Sequence, residues 1–355
     1  MSEATLFIPD ISGFTNFVKS SEIDHSKHII EELIHIIITH GKKNFELAEV
    51  EGDAVFFYKE VLVTPECLIS NAKQIFIAFH QHLLNYEYDR ICECGACTKA
   101  VNLGLKFIAH SGDIRLANYG TGKAKPYGDA VITVHRLLKN EVPSDQYVLL
   151  TDHLLSNFEF QLDGKGTLQD GLQGKIPFKF LNIDHWEAEA VIDKKEFKRA
   201  KVDLEVNASD EIKMEPSPLY CFITEFKYRH LWNKEATKII YDQEEINRSG
   251  SEHFCVVNGK DLFFDTIKIE HEKGLAYGEI LKNPAPFKYL ETNFLLSDAV
   301  SGWSQLNVII RVSLRWKFQK LILPFIRREM KAHADKIIQS IREAVNKIPI
   351  EDLAV

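Results

Sequence analysis

Along the first half of the chain the hydrophobic period switches between two and about 3.6 residues in an order that few folds accommodate. Leu6-Phe-Ile-Pro-Asp10 reads as a short buried strand that ends on an acid and passes through Ile11-Ser12-Gly13 into a helical start. From Asp24 to His40 the apolar residues Ile30, Leu33, Ile34 and Ile37 recur at helical spacing, with Asp24 or Ser26 as N-cap and Gly41 as the stop. His25, His28, His35 and His40 read as the polar face of that helix. Phe45 to Val50 and Ala54 to Tyr58 are strand-like runs around a tight Glu51-Gly52-Asp53 turn. A helix over Cys67 to Tyr86, a strand over Val101 to Ala109 and a helix over Asp129 to Leu138 follow. The order β, α, ββ, α, β, α, β is that of a ferredoxin-like α+β sheet with helices on one face.

The period is lost between Glu187 and Lys201, where Asp193-Lys194-Lys195-Glu196 suits a solvated linker. The spacing therefore predicts a first domain over 1-186, a linker over 187-201 and a second domain over 202-355. In the latter, strand-like runs (Glu252 to Val257, Asp261 to Glu270, Leu275 to Ile280, Tyr289 to Leu296, Trp303 to Leu314) precede a long helix starting or kinking near Pro324 and running to about Lys347. This predicts an antiparallel sheet closed by a C-terminal helix.

A formal charge of -8 gives no general attraction for nucleic acid or anionic lipid. Asp10 interrupts the first apolar stretch, so no secretion signal is read, and Arg311, Arg315, Lys317 and Lys320 make Val308 to Ile326 costly in a bilayer. The expectation is a cytoplasmic protein with no nucleic acid and no membrane among its partners. Six cysteines then read as reduced thiols or metal ligands rather than a disulfide framework.

Asp10 at a strand end and Asp53 at a hairpin tip are fixed oxygen ligands of the kind a pair of hard cations needs, although acids at turns are commonly turn-formers. Four segments in order carry a resemblance: Phe7-Ile-Pro-Asp10-Ile-Ser-Gly13-Phe14-Thr15, Glu49-Val-Glu-Gly52-Asp53-Ala54-Val55, His110-Ser-Gly112, and Tyr127-Gly128-Asp129-Ala-Val131 with Arg136. Together, over roughly residues 4 to 184, they resemble the class III adenylyl and guanylyl cyclases. The resemblance implies that Asp10, the backbone carbonyl of Ile11 and Asp53 hold two Mg²⁺ or Mn²⁺ ions. It implies that backbone N–H groups of Gly13, Phe14 and Thr15 cradle the phosphates of a nucleoside triphosphate. It also implies a homodimer in which Arg136 of one copy serves the nucleotide held by the other. Gly112 and Gly128 mark backbone that needs room.

The chain departs from the family pattern at Ile132, where a ribose-orienting Asn is expected, and near Gln173, where a phosphate-binding Lys is expected and only Lys175 lies nearby. At the two base-reading positions stand Glu49 and Lys125, a polarity that suits guanine better than adenine. The alternative is that these two pair with each other across the dimer and close the pocket.

Cys92, Cys94 and Cys97 form a C-x-C-x-x-C run that can set three thiols around one Zn²⁺, completed by His80, His82 or a partner-chain group, or can be plain thiols. Beyond residue 202, the run from Glu211-Ile-Lys-Met to Val257 through Trp232, the Gly274-Leu-Ala-Tyr-Gly278 stretch, the aromatic strand around Trp303 and the long last helix resemble a START-like helix-grip domain of the polyketide cyclase type. That resemblance implies an apolar cavity for a hydrophobic small molecule, with Trp232, Phe254, Phe264, Tyr277, Phe294 and Trp303 either lining it or forming core. Three readings stay open: a divergent cyclase, GTP favoured over ATP and regulated by an apolar ligand; a catalytically inactive metal- or nucleotide-binding protein fused to a ligand-binding domain; and a structural dimerisation module.

Overall fold

A computed structural model describes residues 2–118, 124–162, 164–170, 174–192, 200–242, 246–269, 271 and 274–347. The chain divides into two compact units, the first Met1–Tyr86 with Lys99–Asp193 and the second Glu87–Thr98 with Lys194–Val355. The centre of the expected linker at Asp193 to Glu196, and Gln173, lie outside the described residues.

The elements up to the end of the first unit are β1 (Ser2–Ser12), α1 (Phe14–Lys19), α2 (Ile23–Gly41), β2 (Glu46–Glu51), β3 (Ala54–Lys59), α3 (Pro65–Tyr88), α4 (Gly95–Lys99), β4 (Gly104–Ala117), β5 (Lys125–Tyr127), α5 (Asp129–Arg136), β6 (Tyr147–Thr151), α6 (Asp152–Leu155), β7 (Gly164–Asp170) and β8 (Gly174–Asn182). Its sheet runs β2-β3-β1-β4-β6-β8-β7, with β5 paired to β4. β4 and β6 are parallel and the other pairings antiparallel, so the sheet is mixed.

β1 and β3 are buried on both faces, which is why they read as near-continuous apolar runs. Leu6 and Ile8 pack with Phe56, Ile108, Val134 and Leu137 under α5. On the other face Phe7 stacks on Phe107 at 5.7 Å and on Phe45 at 5.1 Å. A Cβ on Gly41 of α2 would meet the Phe57 ring of that same face. Helices therefore cover both faces, not one, because β1 and β3 leave no solvated side. Gly112 makes room for α5: a Cβ there would lie 2.8 Å from the Ala130 Cβ. Gly112→Ala should cost about 1–3 kcal/mol by overpacking. The urea midpoint of the full chain checks this; an unchanged midpoint would mean that α5 shifts freely away from β4.

The second unit contains β9 (Leu204–Ile212), α7 (Pro216–Thr224), α8 (Arg229–Trp232), β10 (Ala236–Tyr241), β11 (Glu252–Val257), β12 (Lys260–Lys268), β13 (Leu275–Leu281), β14 (Phe287–Asp298), β15 (Ser304–Leu314) and α9 (Leu323–Val345). Its sheet is antiparallel throughout, in the order β10-β11-β12-β13-β14-β15-β9. α9 begins with Pro324 in its first turn, where the missing N–H costs nothing. It lays Ala334, Ile338 and Ile341 into the core with Val206, Val308 and Ile310 of β9 and β15.

Glu87–Thr98 belongs to this unit through a bridge between Arg90 and Arg248, an N–H of Ser249 donating to the Asp89 carbonyl at 2.7 Å, and Ile91 in the core. The protein is thus α+β, with a mixed sheet, an antiparallel sheet and a long C-terminal helix. No helix among the described residues is long and apolar enough to cross a membrane.

Candidate functional sites

Strand register brings the two predicted acids together. Asp10 of β1 lies opposite Ala54 of β3, and the Ile11 N–H donates to the Asp53 carbonyl at 3.2 Å, which fixes the hairpin tip beside the end of β1. Asp10 is 7% exposed. Burial and the neighbouring Asp10 charge raise the Asp53 pKa, partly offset by a backbone hydrogen bond and Lys106.

Lys106 is the site residue that sequence reasoning missed. It lies opposite Asp10 on β4, and its Nζ contacts Asp10 Oδ2 at 2.9 Å. Burial works against its charge, but Asp10, with smaller help from Tyr147 and Asp53, holds its pKa above the ordinary value. The only sequence signal was a lone cation in the apolar run Leu103 to Ala109. Two carboxylates with one ammonium leave a net negative charge. This donor set fits a hard divalent cation.

Gly13 takes φ 84° at the start of α1, with Gly13 and Thr15 exposed and Phe14 half-buried. A polar cleft of about 420 Å³ opens beside Gly13, walled by Ser12, Asp145, Asp184 and Glu187. Its acids repel an unescorted triphosphate.

Lys125 donates to Glu49 within one chain, as β5 comes alongside the β2 bulge. The pairing expected across a dimer is thus made inside a single copy. Ile132, 49% exposed, sits one turn before the half-buried Arg136 on α5. His110 is buried under Thr151, with Nδ1 to Oγ1 at 2.9 Å, and burial with His153 nearby lowers its pKa to about 4.

In the second unit a cavity of about 320 Å³ is lined by Arg229, Trp232, Phe264, Glu279, Phe294 and His333, among others. Three of the predicted aromatics, Trp232, Phe264 and Phe294, are therefore in its wall. Tyr277 is buried core, its hydroxyl donating to Glu279, and Phe254 packs against Phe263. Trp303 lines a separate hollow of about 360 Å³ with Ile212 and Arg342.

Arg229 and Glu279, each 3% exposed, form a two-pronged ion pair, and Arg229 Nη1 also meets His253 Nε2 at 3.0 Å. Burial pushes the Glu279 carboxyl up, but Arg229 and His253 outweigh it and hold it below the usual range. Arg229 Nε and Trp232 Nε1 have no hydrogen-bond partner among the described residues. Each unpaired buried donor costs about 1–3 kcal/mol.

The sulfur atoms of Cys92, Cys94 and Cys97 lie within 4.8 Å of one another. His82 is held by Glu32 at 2.8 Å, while the His80 ring packs against Phe76 and Phe79 and its Nε2 has no hydrogen-bond partner among the described residues.

A family model described as "Protein of unknown function (DUF2652)" matches residues 30–147. "Uncharacterized protein Rv2561/Rv2562" of Mycobacterium tuberculosis is 34% identical over 110 residues, 31% of this chain and 51% of its own length. The chain thus spans about half the length of that curated relative. Among solved structures, a bacterial light-regulated adenylyl cyclase is similar at 15% identity and TM-score 0.39, over 50% of this chain and 52% of that one. A guanylate cyclase domain from Catenaria anguillulae in complex with GTP is similar at 13% identity and TM-score 0.36, over 51% and 96%. A START superfamily protein from Mycobacterium smegmatis is similar at 12% identity and TM-score 0.33, over 41% and 99%. Likeness at this level leaves the activities and ligands of those proteins with those proteins.

Proposed function

We propose that the first unit binds a nucleoside triphosphate with divalent metal and converts it to a cyclic nucleotide, in a homodimer, and that a small ligand in the second unit's cavity regulates it. The observation that carries this reading is buried Asp10 beside half-buried Asp53, two carboxylates with Lys106 as the cation in contact with Asp10 among the described residues. Asp10, the Ile11 carbonyl and Asp53 would hold two Mg²⁺ or Mn²⁺ ions, which when bound supply an acidified 3′-hydroxyl and neutralise the triphosphate.

The chain's own groups do the positioning. Lys106 orients the Asp10 carboxylate by holding Oδ2. Backbone N–H groups at Gly13, Phe14 and Thr15 orient the phosphates once the metals have offset the acidic cleft wall. Arg136 from a second copy supplies positive charge where negative charge develops. Glu49 and Lys125, released from each other, read an N–H and a carbonyl on the base, which favours GTP over ATP.

The same Glu49–Lys125 pair favours a second reading, a binding protein without turnover, because in the closed state both base-reading groups are already satisfied. Incubating the full chain with each of the four nucleoside triphosphates and Mn²⁺, with cyclic product measured, decides between them. GTP should give the most product, and Asp53→Asn should lower the rate by about 10²–10³-fold, the scale on which a group stabilising transition-state charge acts. No product from any triphosphate overturns the enzymatic reading. Retained nucleotide binding in that case would establish the second.

A further inference from the structure

Most of the second unit is continuous in sequence, but Glu87–Thr98 reaches it from far upstream. Its contacts with the rest of that unit include the Arg90–Arg248 bridge, the Ser249 N–H to the Asp89 carbonyl and Lys268 Nζ donating to the Glu87 carbonyl at 3.2 Å, and it carries the end of α3 and the short α4. Ile91 and Ala96 are its buried apolar side chains besides the cysteines, a small area for ordering a dozen residues.

We propose that Cys92, Cys94 and Cys97 bind one Zn²⁺ ion as a structural crosslink of this segment. Three features carry it. First, the three sulfurs fall within 4.8 Å of one another, while thiolates at the usual Zn–S length of about 2.3 Å on a tetrahedron stand about 3.8 Å apart. Closing on an ion thus asks for at most about an ångström of movement.

Second, backbone N–H groups point at the sulfurs: Cys94 N–H donates to Cys92 Sγ and Cys97 N–H to Cys94 Sγ, each at 3.5 Å. These backbone contacts fix the orientation of the Cys92 and Cys94 side chains around the common point. Third, Cys92 is 4% and Cys97 0% exposed, so the site is closed in the manner of structural rather than catalytic zinc. An odd set of three thiols cannot be consumed by one disulfide. Cys221 lines the same small void as Cys92 and Cys94 but lies outside the group of mutually close sulfurs, so the fourth position of the tetrahedron falls to a nitrogen or oxygen donor.

The test uses the full chain, expressed with zinc in the medium and purified without chelator, with metal content read by mass spectrometry. The expected result is about one zinc per chain, falling below about a tenth in Cys94→Ser and in Cys97→Ser, with exposed Cys67→Ser unchanged. If the serine variants fail to fold, the wild-type chain still decides. Exchange of zinc for Co²⁺ should give intense near-ultraviolet sulfur-to-metal charge transfer, and X-ray absorption should count three sulfurs and one lighter atom. A wild-type chain that carries no zinc as purified and shows no such charge transfer when reduced and given Co²⁺ overturns the proposal. Full metal content in Cys97→Ser, or a disulfide among the three in the fresh protein, overturns it as well.

Discussion

Arg229→Met should destabilise the second unit by about 3–5 kcal/mol, the cost of leaving one member of a buried ion pair uncompensated. Glu279 is 3% exposed and has Tyr277 and Arg229 as its partners, with His253 3.5 Å away. Without the guanidinium its charge loses its counterion, and either the carboxyl or His253, no longer opposed by the Arg229 charge, must take up a proton. The double variant Arg229→Met with Glu279→Met should recover most of the loss, because a buried pair as a whole contributes little net stability over apolar residues of similar volume. Denaturant unfolding of the full chain, followed by tryptophan fluorescence, measures both. A loss below about 1 kcal/mol in the single variant would show a hydrated, weakly coupled pair.

Acid should weaken the first unit through His110 before most carboxylates titrate. Its folded pKa is about 4, against about 6.5 in an unfolded chain. Above pH 6.5 neither state holds the extra proton and His110 contributes no pH dependence. Between about 6.5 and 4 the unfolded chain takes the proton and the folded chain does not, so stability falls as pH falls. The total loss approaches about 3 kcal/mol and levels off below the folded pKa. The check is the difference between wild type and His110→Gln across that range. The variant should lack this part of the slope, while its amide can still reach Thr151. Identical slopes would mean that the imidazole is hydrated in the folded chain.

Regular elements were legible where burial is periodic, and less so elsewhere. The helix read over Asp24 to His40 extends over Ile23–Gly41, and Glu252 to Val257 is a strand end to end. The cap of that helix falls on Glu22, with Ser26 Oγ turned inward to the Ile23 carbonyl, because Ile23 already has helical backbone. β9 went unread although Leu204, Val206, Ala208 and Ile212 alternate correctly. Asn207, Ser209 and Asp210 have weak strand propensity, and only pairing to β15 makes them a strand.

The site divides in the same way. Asp10 and Asp53 were found because each ends a local signal, a strand or a hairpin. Lys106 was not, because its meaning depends on the register between β1 and β4. Arg229 and Glu279 belong to different elements, α8 and β13, and no local period links them.

The two-part make-up of the second unit also has a consequence for synthesis. Glu87–Thr98 leaves the ribosome before the whole of Lys99–Asp193, and its partner strands emerge only afterwards. At about 5–20 residues per second, that interval is on the order of ten seconds. Throughout it, three closely spaced thiols have no β-sheet to bury them, so the nascent chain is most open to oxidation before its second half exists.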